Sequence, residues 1–216
     1  MAERRRAILW DMDGTLVDSE PLHEASLVSA LRQLDLAPPP DFHEHIVGQD
    51  AQAVYSWCRE HLGLSLPFQE WLRLKYRVYL AAAETLQSRS GAVDLFCQLR
   101  EKGYPQAVVS NSDRMVVSAN LDAARMWDPG LVTISRNDVR NGKPDGEPYL
   151  RAAWLLRREP ADCLVVEDSI TGARAGLAAA MRTAFWPQTE MAAPEGAEVV
   201  SSLAELESLI LEEPRS

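Results

Sequence analysis

Two aspartates, Asp11 and Asp13, stand two positions apart at the end of a short apolar run. Side chains at positions i and i+2 of a strand share a face, so both carboxylates can reach one substrate. One carboxylate of such a pair can attack phosphorus and form an acyl phosphate. The other can protonate the leaving oxygen and later deprotonate water. The spacing therefore indicates a catalytic pair suited to phosphoryl transfer.

A second pair of acids, Glu167 and Asp168, follows another apolar run. Carboxylates that lie close together repel one another, and a hard cation such as Mg²⁺ relieves this repulsion. We therefore expect Asp11 and Asp168 to be side-chain ligands of Mg²⁺. Glu167 is expected beside them as a further ligand.

Groups suited to holding a phosphoryl group stand at two further positions of the same kind. Ser110 follows an apolar run and can donate a hydrogen bond to a phosphoryl oxygen, and we assign its neighbour Asn111 to the same task. Lys143 is one of only three lysines in the chain, and its point charge can neutralise a phosphoryl group beside the acids. Gly14 lets the backbone turn closely, so that nearby amides can face the anion.

Short apolar runs alternate with helical patterns from residue 91 onward, which predicts a parallel sheet covered on both faces. The predicted strands are Arg6–Met12, Gln106–Val109, Leu131–Ser135, Cys163–Val166 and Arg182–Trp186. No strand is predicted between residues 17 and 88, where the helical patterns are Pro21–Leu36, Ala51–Leu62 and Pro67–Leu86. We therefore expect an α/β fold, a doubly wound parallel sheet built from residues 1–17 and 89–216, with a helical cap domain inserted at 18–88. Ligands of such sheets bind beyond the carboxyl ends of the strands, where the acids, the serine and the lysine stand.

The 216 residues carry a formal net charge of −10. This acidic balance argues against nucleic acid and membrane surfaces as partners, because phosphate-binding surfaces usually carry a basic stripe. The three cysteines are widely spaced, without a zinc-binding pattern, which suits a reducing compartment. Arg4, Arg5 and Arg6 resemble the start of a signal peptide, but the apolar run after them ends at once in Asp11. We expect a cytoplasmic protein that is a monomer or a weak homodimer.

The stretch Asp11–Asp18 reads DMDGTLVD and resembles the DxDGT signature that opens proteins of the haloacid dehalogenase-like superfamily. The superfamily's later signatures match in order, at Ser110, at Lys143-Pro144 and at Val165–Ser169. The resemblance covers nearly the whole chain. The stretch Asp18–His23 is typical of the branch that contains β-phosphoglucomutase, phosphoglycolate phosphatase and sugar-phosphate phosphatases.

This resemblance implies a role for each matching position. Asp11 is the nucleophile and a Mg²⁺ ligand, and Asp13 is the general acid and base, whose backbone carbonyl also faces the metal. Ser110 and Lys143 hold the phosphoryl group, and Asp168 completes the metal site. The helical insertion resembles the caps that close over such sites, exclude water and choose the substrate.

Three residues are candidates for contact with the rest of the substrate: His23 just after the first signature, Gln49 in the cap, and Arg114 after the second strand. Mutases of this branch carry a basic pair around a cap glycine, whereas the matching stretch here, Val47–Ala51, contains neither Arg nor Lys. The resemblance therefore implies a Mg²⁺-dependent phosphatase acting on a small phosphorylated metabolite, such as a sugar phosphate. A β-phosphoglucomutase-like mutase and a non-enzymatic phosphoacceptor remain as alternatives.

Overall fold

The computed structural model describes residues 5–47, 49 and 51–212. Arg4, Gly48 and Asp50, which entered the reading of the sequence, lie outside the described residues. The chain divides into two compact units, one formed by Met1–Asp18 with Gln87–Ser216 and the other by Ser19–Leu86. The expectation that the second unit is a substrate-selecting cap stays a prediction.

The first unit contains a six-stranded parallel sheet, which confirms the predicted fold class. Its order is β5-β4-β1-β6-β7-β8. A separate antiparallel pair, β2 with β3, lies where the chain passes between the two units. The strands are β1 (Ala7–Trp10), β2 (Val17–Asp18), β3 (Gln87–Ser88), β4 (Gln106–Val109), β5 (Val132–Ile134), β6 (Cys163–Glu167), β7 (Arg182–Phe185) and β8 (Glu198–Val199).

The expectation that no strand lies between residues 17 and 88 was wrong. Strands β2 and β3 have two residues each, and so short a strand leaves no alternation of apolar and polar residues to recognise. The predicted first strand was also too long, because β1 ends at Trp10. Asp11 and Asp13 therefore belong to the turn that follows the strand, and strand periodicity does not set the directions of their side chains.

The second unit is helical. Its helices are α1 (Glu20–Arg32), α2 (Phe42–Ile46), α3 (Ala51–Leu62) and α4 (Phe68–Ala82), followed by a 3₁₀ turn at Ala83–Thr85. Helix α1 begins with an acid and a proline in its first turn, where both residue types favour a helix start. An aromatic and aliphatic core that includes Trp71, Tyr55 and Phe42 holds the unit together.

The remaining helices are α5 (Ala92–Glu101), α6 (Arg114–Ala123), α7 (Glu147–Leu155), α8 (Ile170–Ala178) and α9 (Leu203–Leu211). One face of the sheet packs on α7 and α8 through alternate strand residues such as Leu9 and Val165. On the opposite face Trp10 meets Phe96 of α5, with ring centroids 6.1 Å apart. The central strands are buried on both faces, which explains why they read as unbroken apolar runs. None of the helices within the described ranges combines the length and apolar character of a membrane-crossing helix.

Candidate active site

The polar residues predicted to be catalytic or to bind phosphate and metal lie at the carboxyl ends of the parallel strands. The amide of Asp11 donates to the Val166 carbonyl at 2.9 Å, and the amide of Ser110 donates to the Ile134 carbonyl at 2.8 Å. Glu167 is the last residue of β6. Because β1, β4 and β6 are neighbours in the sheet, these three side chains start from one edge.

Lys143 lies at the centre of this edge with all three of its hydrogens used. Its Nζ donates to Asp11 Oδ1 at 2.5 Å, to Glu167 Oε1 at 2.6 Å and to the Val109 carbonyl at 2.8 Å. The side chain is 4% exposed. Tyr149 covers it from one side, with its ring centroid 5.0 Å from Nζ. The lysine therefore ties three strand ends together inside the protein.

The site holds more negative than positive charge. Single ligand atoms of Asp11, Glu167 and Asp168 all lie within 4.8 Å of one another, and Lys143 is hydrogen-bonded to two of them, Asp11 and Glu167. Burial raises the pKa of Asp11 well above its ordinary value, with a further contribution from Glu167 and an opposing one from Lys143. Burial and Glu167 likewise raise the pKa of Asp168 to about 7. Burial acts to lower the pKa of Lys143, but the two carboxylates hold it above its ordinary value.

A divalent cation fits this arrangement. Asp11 Oδ2 is buried and has no hydrogen-bond partner among the described residues, whereas its other oxygen is bound by Lys143. A buried carboxylate oxygen without a donor is costly, and a cation is the partner that would satisfy it. Asp168 accepts only one of the described side-chain hydrogen bonds, from Thr15 Oγ1 at 3.1 Å.

Glu167 is more fully engaged than the other two acids. Besides Lys143, its Oε1 accepts from the Tyr149 hydroxyl at 2.7 Å, and its Oε2 accepts from the Ser169 hydroxyl at 3.1 Å. Its side chain is completely buried. The expectation that Glu167 is a metal ligand stays a prediction, and the observed contacts make it the residue that holds Lys143.

Asp13 turns to a different set of partners. Its Oδ2 accepts from the hydroxyls of Ser110 at 2.8 Å and Ser112 at 2.9 Å, and its Oδ1 accepts from the side-chain amide of Asn120, through Nδ2, at 3.2 Å. The turn directs the two aspartates to different partners, because Asp11 faces the lysine while Asp13 faces hydroxyls and a side-chain amide. Ser110, predicted to bind phosphate, thus lies beside the predicted general acid and base.

Two further predicted residues pair within the same unit. The side chain of Asn111 donates to the Lys143 carbonyl at 3.1 Å and accepts from the Lys143 amide at 2.9 Å, so it holds the lysine's backbone. The guanidinium of Arg114 pairs with Asp138 at 2.5 Å. Their phosphate-binding and substrate-binding roles stay predictions.

Two predicted residues, His23 and Gln49, lie in the helical unit. The ring of His23 stacks on Tyr79, with centroids 4.5 Å apart and an interplanar angle of 30°. Gln49 is exposed, and its backbone amide donates to the Ile46 carbonyl at 3.1 Å. The proposed contacts of these two residues with substrate stay predictions.

Gly14 makes room for Asp168. Its φ is +89°, and a Cβ built at this position would overlap the Asp168 carboxylate. The Gly14 carbonyl accepts from the Arg89 guanidinium and from the Gln188 amide, both at 3.0 Å. Arg89 also donates to the Trp186 carbonyl at 2.7 Å and lies over the Trp186 ring. The glycine is therefore required both by its backbone conformation and by its neighbour.

Reading the sequence missed four residues that organise the site: Thr15, Arg89, Asn120 and Tyr149. Of these, Asn120 carried a recognisable signal, since it is a polar residue on the face of α6 that otherwise presents Val116, Val117 and Leu121. A polar residue at such a position must find a buried partner. Thr15 stands in the DxDGT signature, but no role for its hydroxyl was predicted, and Arg89 and Tyr149 match ordinary structural residues in type and position.

The fold and the site define a hydrolase of one class. Residues 5–180 match the haloacid dehalogenase-like hydrolase family, and the chain belongs to this family. The resemblance stated from the signatures is therefore confirmed.

Individual relatives share most of this chain. It is 34% identical over 178 residues to hexitol phosphatase A of Escherichia coli K12, covering 82% of this chain and 80% of the relative. It is 29% identical over 181 residues to the bifunctional riboflavin kinase/FMN phosphatase of Arabidopsis thaliana, covering 83% of this chain but only 48% of that larger protein. The crystal structure of CbbY from Rhodobacter sphaeroides in complex with phosphate superposes with a TM-score of 0.80 at 25% identity, over 94% of this chain and 96% of that one.

Proposed function

We propose that this protein is a Mg²⁺-dependent phosphatase that hydrolyses a small phosphorylated metabolite through an aspartyl-phosphate. The observation that carries the proposal is the state of Asp11. One of its oxygens is fixed by Lys143, and the other is buried without a hydrogen-bond donor among the described residues. A carboxylate held in this way beside two further acids suits a nucleophile that shares its site with a cation.

The chemistry divides between the two aspartates of the turn. Asp11 attacks phosphorus and forms an acyl phosphate, and the bond from phosphorus to the leaving oxygen breaks. Asp13 gives that oxygen a proton, then takes one from a water that attacks the phosphorus of the intermediate. Phosphate leaves and the Asp11 carboxylate is restored, so that the net reaction consumes one water.

The remaining groups hold charge in place. Lys143 and the Ser110 hydroxyl are assigned to the phosphoryl oxygens, and Asn111 fixes the backbone of the lysine. Asp11 and Asp168 would hold Mg²⁺, with Glu167 beside them and the Asp13 carbonyl as a further oxygen donor. When bound, the cation supplies charge neutralisation for the phosphoryl group and for the crowded carboxylates.

The names of the relatives support a general class of substrate, small phosphorylated compounds. Relatives are named as phosphatases of hexitol phosphates and of FMN, both small phosphorylated compounds. We propose a sugar phosphate or a similar metabolite, with His23, Gln49 and Arg114 as candidate contacts. We further propose that the protein is a monomer or weak homodimer. We also propose that it acts in the cytoplasm, because all three cysteines are free thiols, as a reducing compartment favours.

A phosphate-release screen across sugar phosphates, phosphoglycolate and nucleotides, with and without Mg²⁺, tests the function. We expect turnover that requires Mg²⁺ and that Asp11→Asn abolishes. Asp94→Asn, a substitution at an exposed aspartate of α5, is the matched control and should retain full activity. Undiminished turnover by Asp11→Asn would refute the mechanism. A phosphate that moves within the substrate would instead identify a mutase, and an aspartyl-phosphate that lasts for minutes would identify a phosphoacceptor.

A further inference from the structure

Asn120 is a buried amide on an apolar helix face. It lies on α6 between residues that pack into the core, such as Val117 and Leu121, and it is 0% exposed. Burying an amide among apolar groups is unfavourable unless the amide forms hydrogen bonds. We therefore expect the buried side chain of Asn120 to have a hydrogen-bond partner that explains its position.

The side chain of Asn120 reaches the Asp13 carboxyl. Its Nδ2 lies 3.2 Å from Asp13 Oδ1, across 107 positions of sequence. The other oxygen of Asp13 is held by the hydroxyls of Ser110 and Ser112, which follow β4. Donors on both oxygens fix the rotation of the carboxyl about its Cβ–Cγ bond, which hydroxyls on a single oxygen would not do.

Orientation matters for this carboxyl because proton transfer is directional. A general acid must lie within hydrogen-bond distance of the oxygen that it protonates, with its proton directed at a lone pair of that oxygen. We propose that Asn120 is a positioning residue that fixes the Asp13 carboxyl for proton transfer to the leaving oxygen. This inference rests on the proposed function, in which Asp13 is the general acid and base.

A second buried amide in the same unit offers a matched control. Gln106 is 7% exposed, accepts from Trp10 Nε1 at 2.8 Å and donates to the Phe96 carbonyl at 3.0 Å. These hydrogen-bond partners are core groups, and neither is an acid. Asn120→Leu and Gln106→Leu therefore both remove a buried amide, but only the first removes a donor to Asp13.

The test compares two substrates that differ in their need for an acid. p-Nitrophenyl phosphate releases a stable anion and needs little protonation, whereas phenyl phosphate has nearly the same size but a poorer leaving group. We expect Asn120→Leu to lower kcat/KM, which reports the steps up to formation of the acyl phosphate, about tenfold for phenyl phosphate, a fraction of the 10²–10⁴ that general acids contribute. For p-nitrophenyl phosphate the expected loss in kcat/KM is less than about threefold.

The control and the outcomes separate the inference from its basis. Gln106→Leu should lower both activities by the same factor, as a general effect on folding would. Equal losses on the two substrates in Asn120→Leu, or no loss on either, would overturn the positioning role while the wild-type activity leaves the proposed function standing. A wild-type protein that hydrolyses neither substrate would overturn both. Should Asn120→Leu be recovered unfolded, Asn120→Ala removes the same donor without adding bulk, and the same ratio of losses decides.

Discussion

Replacing Gly14 by alanine tests whether the first turn and Asp168 form one device. The left-handed φ of +89° is the first obstacle, since an alanine costs about 1–2 kcal/mol in such a conformation. Alanine also lowers the conformational entropy of the unfolded chain, which stabilises the folded state by about 0.4–1 kcal/mol and offsets part of that cost. Backbone conformation alone therefore accounts for a loss of about 1 kcal/mol.

The larger effect comes from the neighbouring carboxylate. A Cβ at position 14 overlaps Asp168, so the carboxylate must retreat by about 1 Å to reach an ordinary contact distance. That movement breaks its hydrogen bond from Thr15, worth about 1 kcal/mol. We expect a total loss of about 2–3 kcal/mol in the free energy of unfolding, or roughly 4–12 °C in Tm. Misplacement of a site group by about 1 Å costs on the order of 10²-fold in activity.

Gly63 supplies the matched control for backbone conformation. Its φ is +72°, and nothing lies within 4 Å of a Cβ built there. Gly63→Ala should therefore lower the free energy of unfolding by no more than about 1 kcal/mol and leave activity intact. Urea denaturation and Mg²⁺-dependent phosphate release measure the two quantities for both variants.

A double variant decides whether the overlap is the cause. In Gly14→Ala combined with Asp168→Ala, the obstructing carboxylate is gone, so the alanine at position 14 should cost only the backbone term of about 1 kcal/mol. If Gly14→Ala costs as much in the Asp168→Ala background as in the wild type, the steric argument is wrong. Equal losses in Gly14→Ala and Gly63→Ala would refute it as well.

Three further predictions concern the charges around the site. In metal-free protein the pKa of Asp168 is about 7 in the folded state, against an ordinary value of 3.8 in the unfolded chain. Between about pH 4 and 7 the folded state therefore holds a proton that the unfolded chain has released, so this group's contribution to stability falls as pH rises through that range. Asp168→Asn should flatten that part of a Tm–pH profile, and an unchanged slope would contradict it. Arg89→Met should lower the free energy of unfolding by about 2 kcal/mol in a urea titration, because charged hydrogen bonds are lost. Arg5 is exposed and also lies over an aromatic ring, so Arg5→Met is the control and should cost under about 0.5 kcal/mol. Tyr149→Phe should cost about 1–2 kcal/mol in urea, because it removes a donor from the buried Glu167, and a neutral result would place that hydroxyl outside the network.

The fold was predictable where its strands are fully buried. β1, β4 and β6 consist of four or five residues that are all buried, and the apolar residues in each form an unbroken run bounded by polar residues. β2, β3 and β8 have two residues each and escape any periodicity, as does α2 with five residues. Those elements exist because distant parts of the fold support them, and local sequence does not contain that information.

The same limit governs the site. Asp11, Ser110 and Glu167 were recognisable because each stands at a strand end, and the topology of a parallel sheet brings strand ends together. The partners of Thr15 and Asn120 were not recognisable, because their hydrogen bonds to Asp168 and Asp13 span 153 and 107 positions, although the place of Asn120 on an apolar helix face indicates that it needs a buried partner. A hydroxyl or an amide becomes part of a site through its partner, and only the folded chain reveals the partner.

The charge of the chain has a local counterpart that bears on how an acidic protein binds an anion. The cluster of Asp11, Glu167 and Asp168 shares one lysine, Lys143, which leaves these four groups with an excess of two negative charges when all are ionised. Burial raises the pKa of Asp11 and of Asp168, and a protonated Asp11 could not serve as the proposed nucleophile. A divalent cation would match the excess charge and favour the ionised carboxylates, and its charge together with that of Lys143 would then attract the phosphoryl group of the proposed substrate. The net charge of −10 and an anionic substrate are therefore compatible, provided that the cation binds before or with the substrate.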